Sequence, residues 1–127
     1  MRPAGLDDGL GHALRELAAR SRLKTRLDVT DERFEDQVET AAYFVASEAL
    51  ANAAKHARAG SVAIAATRRN GGLVVQVRDD GIGGAAPSEG SGLAGITDRI
   101  AALGGSVSVT SPPGEGTVIV AELPCGS

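Results

Sequence analysis

Between Leu6 and Arg22 leucines stand at positions 10, 14 and 17, the interval of a helix with one buried face, so the chain is expected to open with an amphipathic helix over about 6–22. Arg26-Leu27-Asp28-Val29 alternates briefly, as a short strand does. From about Asp36 to Ala57 the apolar positions are too dense for a single stripe. Between Ala41 and Ala54 they cover nearly the whole circumference, which predicts a long, largely buried helix. Two strands follow, 61–69 and 73–79, separated by Asn70-Gly71, a pair that tolerates positive φ and so predicts a hairpin. The segment 80–92 is rich in Gly, Ala, Pro and Ser and reads as a loop able to move. Leu93, Ile96, Ile100 and Leu103 restore the helical period, with Gly104-Gly105 as the stop. Closing strands at 106–110 and 117–123 flank a Pro112-Pro113-Gly114 turn. The order α-β-α-ββ-α-ββ predicts an α/β (α+β) two-layer sandwich with helices on one face of a mixed sheet.

Composition narrows this picture. A chain of 127 residues fits one domain, 1–127, and can bury roughly two-thirds of its unfolded surface. Aromatics are only 2%, so the core must be built from Ala, Val, Leu and Ile. Thirteen basic against sixteen acidic side chains give a net charge of -3, which argues against a nucleic-acid partner. The basic run Arg20, Arg22, Lys24 and Arg26 reads as a solvated face, with a partner or phosphate site as the alternative. Cys125 has no second cysteine to pair with, which points to a reducing, cytoplasmic compartment. No apolar run approaches the roughly 18 residues of a membrane span, although a parent protein could still be membrane-anchored.

Four places break the pattern. Glu48 and Asn52 interrupt the apolar long helix, and with Lys55 and His56 they fall on one stripe, where buried polar groups are costly unless something satisfies them. Asp79 continues the core-facing row of Leu73, Val75 and Val77, in the motif Asp79-Asp80-Gly81-Ile82-Gly83. A carboxylate there needs a donor, such as a purine's exocyclic amine; ordinary Asp-Gly turn chemistry is the alternative. Gly90-Ser91-Gly92-Leu93-Ala94-Gly95-Ile96 opens the last helix with small residues, where backbone N–H groups could hold phosphate oxygens or Ser91 could simply cap. In Gly114-Glu115-Gly116-Thr117, Thr117 shares a face with Ile119, Ala121 and Leu123, so its hydroxyl also points inward.

In this order the four pieces resemble the nucleotide site shared by histidine kinases, gyrase-type ATPases and Hsp90-type chaperones. Glu48 to Ala57 resembles the N box, Asp79 to Gly83 the G1 box, Gly90 to Ile96 the G2 box, and Gly114 to Thr117 the final Gly-Thr block. The compact loop, the Lys55-His56 pair and the Gly-Leu-x-Gly-Ile form of the G2 box are similar to sensor kinases paired with LuxR-type response regulators. The resemblance implies a left-handed βαβ (Bergerat) ATP fold, with ATP and Mg²⁺ as ligands. It implies Asn52 on Mg²⁺, Glu48 as the catalytic acidic residue that positions or activates the acceptor, and Asp79 on the adenine amine. Thr117 would support Asp79. Gly81, Gly83 and the segment Gly90, Ser91, Gly92, Leu93 and Gly95 would hold or cover the nucleotide, and Lys55 and His56 would face the phosphates.

Phosphoryl transfer needs mainly positioning and charge neutralisation, and these residues offer one candidate for each role. No Walker-type loop and no Cys/His cluster competes with them. His12, in Gly9-Leu10-Gly11-His12, lacks the acidic, Arg-rich setting of a phosphoacceptor and reads as a surface residue. The acceptor histidine is therefore expected on a separate dimerisation domain, and this chain is expected to bind ATP or ADP as a monomer without phosphorylating itself. A response regulator is the indirect partner. Two rivals remain: a protein serine kinase of the anti-sigma-factor type, and a module that binds nucleotide without turning it over.

Overall fold

In the computed structural model, residues 6–55, 60–81, 92–112 and 114–125 are described, 92 and 93 by their backbone alone. The alternating segments become β1 (Lys24–Val29), β2 (Ser61–Arg69), β3 (Gly72–Asp79), β4 (Ser106–Thr110) and β5 (Thr117–Pro124). They form one mixed sheet in the order β1-β2-β3-β5-β4. β1 pairs parallel with β2, and the other neighbours pair antiparallel. A parallel neighbour cannot be reached by a tight turn, and the crossover is supplied by α2 (Asp36–Lys55). With α1 (Leu10–Arg20) and α3 (Gly92–Ala102), α2 covers one face of the sheet, giving the expected two-layer sandwich.

The core lies between these layers. Register stacks Ile64, Val77 and Ile119 across three strands, then Ala66, Val75 and Ala121, then Leu73 against Leu123, and all are buried. Burying each of the larger side chains contributes about 1.5–3 kcal/mol. Ala42, Ala46, Ala49 and Ala53 are buried along α2, so small side chains let a helix backbone sit close to the sheet. Glu39 is also fully buried; it accepts hydrogen bonds from Arg33 Nε (3.0 Å) and Nη2 (3.3 Å) and from the Phe34 N–H (3.1 Å).

The punctuation signals form as expected. Asn70 and Gly71 adopt φ 50° and 78° in the β2–β3 hairpin. Beyond α3, Gly104 N–H donates to Ala101 O (2.9 Å) and Gly105 N–H to Ile100 O (3.0 Å), a Schellman closure. The expected first helix over 6–22 is interrupted. Gly9 has φ 101°, which no helix accommodates, so a 3₁₀ turn at Leu6–Asp8 precedes α1. That helix ends at Arg20, and β1 begins at Lys24, ahead of the expected Arg26. The end of the long helix at 56–57 and most of the 80–92 loop lie outside the described residues.

Candidate functional site

The polar residues on core-facing rows meet at one end of the sheet. Asp79 ends β3 with its side chain toward the helices and 8% exposed. Its cross-strand partner on β2 is Val62 and on β5 is Thr117, which is 1% exposed. The two positions identified separately by alternation are therefore direct neighbours. Asp79 Oδ1 accepts the Gly81 N–H at 2.9 Å, and among the described residues its Oδ2 accepts nothing. Thr117 Oγ1 lies 2.6 Å from Ser111 Oγ, so a second hydroxyl orients the first.

Two residues of this cluster were missed by sequence reasoning. Ser111 carries no signal of its own, because its role follows from the approach of the β4–β5 connection to Thr117. Gly116 belongs to the Gly-Thr block without having been singled out. It has φ 77°, and a Cβ there would lie 2.2 Å from the Asp79 carbonyl oxygen. Only glycine lets the chain enter β5 this close to Asp79.

On α2, Glu48 and Asn52 are partly buried one turn apart, and Lys55 is exposed at the helix end. Among the described residues neither Glu48 nor Asn52 makes a side-chain hydrogen bond or ion pair, so their oxygens remain open to a ligand. The helix α3 runs antiparallel alongside. Arg99 stacks on the Phe44 ring at 4.0 Å, and a Cβ on Gly95 would meet Phe44 Cζ at 3.9 Å. The end of α3 at Ala102, with Leu103 just beyond it, lines one depression with the earlier α2 residues Gln37 and Thr40. Continued in the other direction, this register carries Gly92 and Leu93, the first turn of α3, toward the Glu48 level of α2. That turn presents backbone N–H groups and the positive end of a helix dipole.

Thus Asp79, Gly81 and Thr117 are brought into one cluster, while Glu48, Asn52 and Lys55 share a helix, and no direct bond joins the two groups among the described residues. His56, Gly83, Gly90 and Ser91 lie outside the described residues. His12 is partly exposed on α1, with Nε2 3.1 Å from Glu16 Oε1 and 3.8 Å from Asp8 Oδ2. Among the described residues no helix is long and apolar enough to cross a membrane.

Comparison with known proteins shows the family and the fold. The sequence model described as histidine kinase-, DNA gyrase B-, and HSP90-like ATPase matches residues 37–127. The oxygen sensor histidine kinase NreB of Staphylococcus carnosus is 31% identical over 98% of this chain, which spans only 39% of that protein's length. Among solved structures, the histidine kinase domain of the blue-light activated histidine kinase EL346 from Erythrobacter litoralis superimposes with a TM-score of 0.74 at 26% identity, over 94% of this chain and 61% of that one. The ATP binding domain of PrrB from Mycobacterium tuberculosis has the same fold, with a TM-score of 0.69 at 24% identity over 93% of this chain and 92% of that one.

Proposed function

The chain belongs to the histidine kinase-, DNA gyrase B- and HSP90-like ATPase family, and on that basis we propose that it is the ATP-binding catalytic domain of a two-component sensor histidine kinase. In this reading it positions Mg·ATP so that the γ-phosphoryl group passes to a histidine on a separate dimerisation domain, then to a response regulator of the LuxR type. The chain acts in the cytoplasm and is a monomer by itself. The observation that carries the proposal is the Asp79–Thr117 pair, polar, buried and adjacent on the helix face, with an acceptor oxygen left open.

The roles follow from the chemistry at each atom. Asp79 Oδ2 accepts the exocyclic amine of adenine, while Oδ1 stays tied to Gly81. The Thr117 hydroxyl, held by Ser111, supports the same base edge. Gly83 and the segment Gly90, Ser91, Gly92, Leu93 and Gly95 would hold or cover the nucleotide, Lys55 would place positive charge beside the phosphates, and His56 would face them. Asn52 and Glu48 offer hard oxygen donors with no competing partner among the described residues, a set that fits Mg²⁺. Asn52 would hold the ion, which when bound neutralises charge on the phosphate oxygens. In the transfer, an imidazole nitrogen of the acceptor bonds to the γ-phosphorus as the bond to the bridging oxygen breaks and ADP leaves. Glu48 orients that imidazole and takes up the single proton carried by its other ring nitrogen, so the phosphorylated ring is left neutral.

Mg·ATP should raise the melting temperature, because a ligand that binds only the folded chain stabilises it by about 2.7 kcal/mol at a hundredfold excess over Kd. No rise at millimolar nucleotide would overturn the proposal at its base. Transfer to a serine of a partner protein, with none to a histidine domain, would reassign the acceptor.

A further inference from the structure

The face of the sheet turned away from the helices carries a groove of about 550 Å³ across β1, β2 and β3. Strand register explains its shape. Lys24, Ser61 and Asp80 form one wall, Arg26, Ala63 and Arg78 the other, and these side chains all point away from the helices. Between them the floor is backbone, because Thr25, Val62 and Asp79 turn their side chains to the opposite face. Groove and nucleotide cluster therefore share a strand end without sharing a side chain.

The groove's charge is unbalanced. Lys24, Arg26 and Arg78 are exposed, and among the described residues none of their side chains has a hydrogen-bond or ion-pair partner. Asp80 is the one carboxylate in the walls; it forms no ion pair with them and accepts from the Gly60 N–H (2.8 Å), the Ser61 N–H (3.0 Å) and the Ser61 hydroxyl (2.9 Å), so its single charge is outnumbered by three cations. Three unengaged cations around a backbone floor stand out on a chain of net charge -3.

We propose that this groove docks a segment of another protein carrying two or three closely spaced Asp or Glu side chains. β1 and β3 are about 10 Å apart, two strand spacings, so a helix or a few extended residues would reach every cation. A single-stranded nucleic acid is a poorer fit, because the walls and floor offer no aromatic ring for bases to stack on. Asp28 and Glu122 on the same face would also repel a phosphate backbone continuing along the sheet. A membrane surface is flat, whereas these cations surround a depression without large apolar side chains.

The test is fluorescence anisotropy with a labelled decapeptide of Glu and Ala, against the same peptide with Gln for Glu. The acidic peptide should bind at low ionic strength, and more weakly as salt screens the contact. Lys24→Gln/Arg26→Gln/Arg78→Gln should weaken it by about tenfold, as for three modest ion pairs. Arg69→Gln, at the far end of the same face, should leave it unchanged. An unaltered melting temperature and Mg·ATP response would show the triple variant folded; if it melts early, Arg78→Gln alone carries the comparison. Absent binding, equal binding by the variant, or tighter capture of an oligonucleotide or of phosphatidylglycerol vesicles would overturn the proposal. So would a dimer of the chain that the triple substitution dissociates, since the occupant would then be a second copy.

Discussion

At the end of β3 two consecutive carboxylates leave the sheet in opposite directions. Asp79 points into the helix layer, nearly buried, with one oxygen bonded to Gly81 and the other open among the described residues. Asp80 points to the open face, where Ser61 and Gly60 take up both of its oxygens. Those bonds, the Ser61 N–H first, then the Ser61 hydroxyl and the Gly60 N–H, hold the Asp80 pKa below the ordinary carboxylate value. The same functional group thus serves two ends. A carboxylate satisfied by its own chain fastens β3 to the start of β2, while one left partly open in a buried row is suited to a ligand. If that division is right, substitutions on the helix face should change nucleotide binding and chemistry, and substitutions at Asp80 should change stability without changing nucleotide binding.

The largest effect is expected on the helix face at Glu48. Glu48→Gln keeps shape and hydrogen bonding but removes the charge, so Mg·ATP binding should survive while transfer to a supplied histidine domain falls by roughly 10²-fold or more. Asn52→Ala should fail the other way and lose Mg²⁺-dependent binding. Calorimetric titration followed by a transfer assay separates the two. Loss of binding with transfer intact in Glu48→Gln would reverse the assignments.

Next is Asp79→Asn. The amide can still accept the Gly81 N–H, but it offers the adenine amine an NH₂ group or a misplaced oxygen. An unmatched polar contact costs about 1–3 kcal/mol, so ATP affinity should fall roughly five- to 150-fold with the circular dichroism spectrum unchanged. Adenine selectivity over guanine should fall with it. ATP binding as tight as in the parent would take Asp79 out of the base site.

The Asp79–Thr117 pair of the candidate site was legible because strands alternate. Asp79 and Thr117 each fall on an apolar row by counting in twos, and the sheet needed only to align the rows. The Asn70-Gly71 turn and the Gly104-Gly105 stop were legible because positive φ restricts residue choice. What escaped depends on contacts between distant segments. Asp80 looks like a partner of Asp79 in one motif until β2 is placed beside β3 and Ser61 claims it. Lys24 and Arg26 looked like part of a solvated run with Arg20 and Arg22; register sets them across β2 from Arg78, more than fifty residues on. The break at Gly9 was hidden because leucine spacing continues across it while the backbone does not.

Gly116 offers a smaller, structural test of the helix-face cluster. At φ 77°, with its Cβ position 2.2 Å from Asp79 O, Gly116→Ala must strain the backbone and push β5 from β3 where Asp79 meets Thr117. A loss of roughly 1–3 kcal/mol by denaturant titration is expected, with weaker ATP binding. Gly114→Ala is the control, since Gly114 has φ 83° but nothing within 4 Å of its Cβ position. It should lose less stability and leave ATP binding unchanged. Equal effects would mean that backbone conformation matters there and proximity to Asp79 does not.

The smallest effect is expected on the open face, and its pH dependence distinguishes it from the others. Asp80 has a folded-state pKa depressed by the hydrogen bonds from Ser61 and Gly60. Such a group adds stability that is fully present above the unfolded carboxylate value, near pH 4, and is lost as pH falls through the depressed folded value. Asp80→Asn can keep part of the hydrogen bonding but has no charge to titrate. Its melting temperature should therefore lie below the parent's at neutral pH, and the gap should close as the pH drops below about 4. A gap that stays constant across the acid range would assign the contribution to hydrogen-bond geometry and not to charge. Mg·ATP affinity at neutral pH should match the parent's throughout. Should it fall as far as in Asp79→Asn, the two faces would not be separate, and Asp80 would have to be counted among the residues that shape the nucleotide site.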